Sequence, residues 1–147
     1  MAKNIILFLF IGFLTTYFCN IIESQFLSHY LHQNIISLTI TLIAITSAVR
    51  AIILSKITEI KLINKDNDFT QTFKELKISI YEQVAMIIIS ILTIIIAESK
   101  LINPHIHTLS MFVCDSILAA VLFYSIYILY DTAVAVIDIF IALSTKK

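Results

Sequence analysis

The chain reads as an all-α integral membrane protein: a four-helix bundle with both termini and the central loop in the cytoplasm, and with helices two, three and four extending inward. Four apolar runs, a one-sided distribution of cations and helical periodicity that outlasts the runs predict this. Of 147 residues, 59% are hydrophobic and 14% charged, too little polar surface to cover a soluble core. A membrane helix needs about 20 mostly apolar residues to cross about 30 Å of hydrocarbon. Residues 5–22, 35–54, 78–97 and 108–130 each meet that requirement.

The first run, IILFLFIGFLTTYFCNII, follows Lys3 and could be taken for a signal peptide. Cleavage needs small residues in an A-x-A-like arrangement, which Thr15, Thr16, Tyr17 and Phe18 do not provide, so the run is read as an uncleaved span. Orientation follows from the cytoplasmic bias of Lys and Arg. Lys3, Arg50, Lys56, Lys61, Lys65, Lys74, Lys77, Lys146 and Lys147 fall on one side of four spans, against Lys100 alone on the other. The loops 23–34 and 98–107 therefore face outward. The net charge is zero, which implies no nucleic-acid partner, and Cys19 and Cys114 at span depth are read as buried thiols. The expected setting is the inner membrane of a bacterial cell, as a single multi-pass domain.

Between spans two and three, residues 55–77 form a charged helical hairpin. Ile57, Ile60 and Ile63 continue the second helix, and Asn64 to Asp68 make a polar turn. Asp68 with Gln71 reads as an N-cap with its partner, after which Phe69, Phe73, Leu76 and Ile80 share a helical face. The fourth pattern runs from Thr108 to Leu143, roughly 54 Å at about 1.5 Å per residue, so residues 131–145 project inward. There Asp131 and Asp138 share one face, and Val134, Ile137 and Ile141 form an apolar stripe for packing on helices two and three. Lying flat on the membrane is the alternative for this segment. Gly12 is the one residue within the spans that could soften a helix, and Pro104 after Asn103 suits an outer turn.

The candidate intramembrane polar residues are Arg50, Glu82 and Asp115. Arg50 and Glu82 lie at matching depth on neighbouring helices, and pairing lowers the cost of burying either charge. Asp115 sits roughly 10 Å below the outer boundary with no cation at its depth, so it calls for hydroxyl partners among Thr15, Thr16, Thr41, Ser90 and Thr93, or for a proton. The histidines His29, His32, His105 and His107 all face outward, but no compact ligand motif joins them to Glu23 or Glu98; no metal or cofactor is assigned. Tyr124, Tyr127 and Tyr130 suit an interfacial anchor. Ser116 with Ala120, and Ala44 with Ala48, are small-xxx-small pairs that permit close helix approach.

No H-E-x-x-H, P-loop, Gly-rich fingerprint or Ser-His-Asp set supports an enzyme. RAIILSKITEI lacks the Arg, Asn and Glu set of the four-span eicosanoid and glutathione enzymes, and span one lacks the carboxylate of the small multidrug transporters. In its plan of inward termini, short outer loops, the hairpin SKITEIKLINKDNDFTQTFKELK and a long final helix ending STKK, the chain resembles the KwaA membrane components of Kiwa-type bacterial anti-phage systems. It resembles more loosely the membrane proteins of lambda-type exclusion systems. That resemblance implies a homo-oligomeric membrane sensor controlling a cytoplasmic effector. Docking would then fall on the inward hairpin and extension, at Lys56, Glu59, Lys61, Lys65, Phe69, Phe73, Lys74, Asp131 and Asp138. The rival expectations are a holin-like or channel-like pore and a small transporter.

Overall fold

Each apolar run forms one helix, and each helix is long and apolar enough to cross a membrane. The computed structural model describes the backbone of residues 2–63, 69–99 and 104–144, and the side chains of 4–59, 69–99 and 109–141. The helices are α1 (Ala2–Ile21), α2 (Phe26–Ile63), α3 (Thr70–Ala97) and α4 (Pro104–Ser144). Among the described residues there is no strand. The bundle is built around α4, which packs against all three other helices, while α2 also packs on α3.

Helix length separates a spanning part from a projecting part. The 20 residues of α1 rise about 30 Å, one hydrocarbon thickness. The 38 residues of α2 and 41 of α4 rise about 57 and about 61 Å. The register fixes where the surplus lies. Phe8 meets Tyr124 edge-on and Tyr127 at a tilt, and Phe13 meets Phe112 edge-on. α1 therefore begins level with about residue 130 of α4. Beyond that level α4 continues to Ser144 and α2 to Ile63, at the end of the bundle that carries both chain termini. α4 is one unbroken helix throughout.

The packing inverts the usual pattern of a soluble bundle. Thr16, Thr39, Thr46, Gln83, Ser90, Thr93, Ser116, Ser125 and Thr132 are buried, whereas Ile6, Phe10, Phe18, Leu92 and Ile95 are exposed. Lipid tails give no hydrophobic drive between helices, so small side chains that allow close approach occupy the seams. Their hydroxyls bond the carbonyl four residues back, as Thr16 does to Gly12 at 3.1 Å and Ser125 to Val121 at 2.8 Å, so burial leaves none of these hydroxyls without a partner. Leu31, Ile35, Leu118, Ala119 and Val121 form the apolar centre between α2 and α4.

Gly12 does not soften α1; it seats it. A Cβ there would lie 2.7 Å from the Ala120 nitrogen and 2.9 Å from its Cβ, and would also strike the Ser116 carbonyl. The Ser116 and Ala120 pair is thus used within the chain, at the α1–α4 crossing. Ala44 and Ala48 are exposed.

Several local expectations change. The first outer loop shrinks to residues 22–25, because Leu27, Leu31 and Ile35 share a face and carry α2 back to Phe26. Glu23 turns the chain with φ 54°, a left-handed conformation that lets Ser24 N reach Cys19 O at 2.9 Å. Pro104 is the first residue of α4 rather than part of a turn, a position where its missing N–H costs nothing. Phe69, not Asp68, occupies the α3 cap, without a side-chain bond; Asp68 itself lies outside the described residues. Phe73 and Ile80 face outward, because the α3 seam runs through Gln83, Ser90, Thr93 and Ala97 instead.

Candidate functional site

Two polar clusters are embedded in the bundle, one near each end, and α2 contributes to both. α2 and α4 run parallel, so His32, on the second turn of α2, meets Asp115 of α4. His32 Nε2 lies 2.8 Å from Asp115 Oδ1, and each side chain is 16% exposed. Asp115, expected to rely on hydroxyls or a proton, thus has an imidazole partner. His32, expected in the outer loop, lies on α2, because that helix extends back to Phe26. Of the hydroxyls considered for Asp115, Thr16 shares its cavity. Thr15 bonds Ile11 O, and Thr41 is exposed on α2, bonding Ser37 O. Ser90 and Thr93 are buried in the α3 seam.

The pair lines a cavity of about 450 Å³ between α1, the following turn, α2 and α4. Its walls carry Thr16, Cys19, Asn20, Ser24, Gln25, Ser28 and His29 beside apolar Leu27, Leu31, Met111 and Phe112. His29 is held by Gln33 at 3.0 Å. Both cysteines are free. Among the described residues no group of three or more His, Cys, Asp or Glu could hold a metal ion; the side chains of His105 and His107 lie outside that description.

At the other end Arg50 is 4% exposed. Its Nη1 donates to Gln83 Oε1 at 2.7 Å and its Nη2 to Ser79 Oγ at 2.7 Å. Gln83 is fixed in turn by Thr46, whose Oγ1 accepts from Gln83 Nε2 at 2.8 Å. Nε of Arg50 is buried without a partner. The expected Arg50–Glu82 ion pair does not form. Successive helical residues point about 100° apart, and Gln83 rather than Glu82 lies on the α3 seam facing α2. Glu82 instead interacts with the Tyr124 hydroxyl on α4. Tyr124 is itself buried at 4%, so it packs α1 onto α4 rather than anchoring at an interface.

The projecting segment presents the remaining candidates. Lys56 Nζ lies 2.7 Å from Glu59 Oε2 and 6.0 Å from the Phe140 ring centroid, which ties α2 to the extension of α4. Glu59, Phe73, Lys74, Asp131 and Asp138 are exposed, and Phe69 is half-buried. Ile137 and Ile141 are 57% and 55% exposed, so the stripe expected to bury the extension does not do so; Thr132 is buried in its place. The side chain of Lys61, and Lys65 entirely, lie outside the described residues.

These features define a multi-pass helical membrane bundle with a polar cavity at the loop end and a charged projection at the terminal end. No family model, curated protein or solved structure matches the chain.

Proposed function

We propose that the chain is a self-associating membrane sensor that recruits or controls a cytoplasmic protein through the projecting ends of α2, α3 and α4. The observation that carries this reading is the projection itself. α2 and α4 run well past the level where α1 begins, and there they expose Glu59, Asp131 and Asp138, with Phe73 and Lys74 of α3 beside them. The excess of Lys and Arg at that end supports a cytoplasmic location in a bacterial inner membrane. Continuous α4 joins Asp115 in the loop-end cavity to this surface, a direct mechanical route between the two.

Self-association is supported by α2. Ser37, Thr41, Ala44, Ala48, Ala51 and Ser55 recur at alternating intervals of four and three, and all are exposed. The outward faces of α1 and α3 instead carry Ile, Leu and Phe. A role in anti-phage defence, with a soluble effector on the projection, accords with the resemblance of the overall plan. A pore or transporter is the alternative. It draws less support, because Arg50 is sealed by α3 and the apolar Leu31, Ile35 and Leu118 separate the two polar clusters.

Site-specific photocrosslinking in cells tests the reading. Crosslinkers at Phe73 and Asp138 are expected to yield a discrete adduct with one soluble protein, and Lys74→Glu to remove it. Ion leakage from proteoliposomes of the purified chain, with no such adduct, would replace this reading with the pore.

A further inference from the structure

We infer that the loop-end cavity is a binding site for an ammonium group, carried by a small amine or by an amine-bearing lipid headgroup, with Asp115 as its anchor. This goes beyond the sensor reading and stands or falls without it.

The charge balance of the cavity selects the ligand. Asp115 is the one carboxylate among the residues lining it, no Lys or Arg lines it, and its two histidines, His29 and His32, are engaged by Gln33 and Asp115. Phosphate and carboxylate ligands thus find no Lys or Arg to hold them. A carboxylate can accept about four hydrogen bonds, and His32 occupies only Oδ1. Among the described residues no hydrogen bond joins Oδ2 to a partner, and Asp115 lines the cavity.

The neighbouring hydroxyl has the same polarity. The Thr16 hydroxyl donates its hydrogen to Gly12 O at 3.1 Å, so toward the cavity it presents oxygen lone pairs. Ser28, Asn20 and Gln25 add hydroxyl and amide groups, each with an oxygen able to accept from a ligand. A primary ammonium has three donors and no acceptor, which complements this lining. A quaternary ammonium carries the same charge without donors. Leu27, Met111 and Phe112 give an apolar wall for the carbon chain that bears the head.

The mouth suits either a dissolved or a membrane source. Ser24 and Gln25 of the turn line the cavity, near the end of α1, where lipid headgroups meet water. Both sources present the same ammonium chemistry, and the bilayer composition separates them.

The test uses the full chain in phosphatidylcholine nanodiscs, titrated with ethanolamine and followed by calorimetry. Saturable binding is expected, with tetramethylammonium binding much more weakly. Asp115→Asn is expected to weaken ethanolamine roughly tenfold or more. His32→Lys, which sets a covalent ammonium beside Asp115 while leaving the carboxylate paired, is expected to abolish binding, and it serves as the second variant should Asp115→Asn not fold. In nanodiscs containing phosphatidylethanolamine, a lipid source predicts loss of the free-ethanolamine signal and copurification of that lipid with the wild type but not with the variant. A free-amine source predicts an unchanged signal. The inference is overturned by the absence of both ethanolamine binding and lipid retention, or by binding that persists undiminished in a folded Asp115→Asn or His32→Lys chain.

Discussion

Gln83 Oε1 lies 2.7 Å from Arg50 Nη1, so a neutral amide holds the buried guanidinium while the adjacent carboxylate, Glu82, faces another helix. Removing one partner of a buried charge leaves its desolvation uncompensated, whereas removing the charge itself does not. Gln83→Leu is therefore expected to cost about 2 to 3 kcal/mol, and Arg50→Met less. Denaturant unfolding in mixed micelles, followed by circular dichroism, measures both. The reverse order would mean that the guanidinium itself stabilises the bundle. Exchanging Arg50 and Glu82 is expected not to rescue either single charge reversal, because the two side chains do not meet.

The α1–α4 crossing rests on a missing side chain. Gly12→Ala puts a methyl group against the backbone at Ser116 and Ala120, and over-packing of this kind costs about 1 to 3 kcal/mol. α1 has its main packing partner in α4, so it should detach before the other helices unfold. Cysteines at Phe13 and Phe112, whose rings are 5.3 Å apart, are expected to crosslink in the parent chain and poorly with Gly12→Ala. Equal crosslinking in both would show that the crossing tolerates the methyl.

The helices, their number and the run of α2 and α4 beyond the length of a span were legible in sequence, because span length and helical period follow from the order of apolar residues. Which face of each helix turns inward was not. Reading Phe69, Phe73, Leu76 and Ile80 as the packed stripe applied the rule for soluble helices. In α3 the seam is Ser79, Gln83, Met86, Ser90, Thr93 and Ala97, spaced at alternating intervals of four and three, and this small-and-polar period was the usable signal. Arg50 and Asp115 were identifiable as costly residues from their depth. Their partners were not, because Gln83 carries no charge to mark it and His32 had been placed in a loop that is helix.

The exposed small residues of α2 make a separable prediction about assembly. Ala44→Leu with Ala48→Leu changes a face that no other helix of the same chain covers, so unfolding is expected to shift by no more than about 0.5 kcal/mol. Close helix approach between copies would be blocked. Crosslinking through Ala51→Cys in membranes is expected to give dimers in the parent background and few in the double variant. Dimers retained at full yield would move the interface away from α2.

The projection makes the last prediction, because its charges are exposed and their mutual contacts are weak. The Lys56–Glu59 pair joins side chains 33% and 59% exposed, and exposed pairs contribute about 0 to 1 kcal/mol. Asp131→Lys with Asp138→Lys alters a surface without touching the buried seam, so membrane insertion and thermal stability in detergent should be preserved. If the surface docks a protein through charge complementarity, the same double variant removes the photocrosslinked adduct at Phe73, while Asp131→Asn with Asp138→Asn only weakens it. An adduct that survives both variants in a correctly inserted chain would show that docking does not use these aspartates, and would leave Phe73 and Lys74 of α3 as the contact.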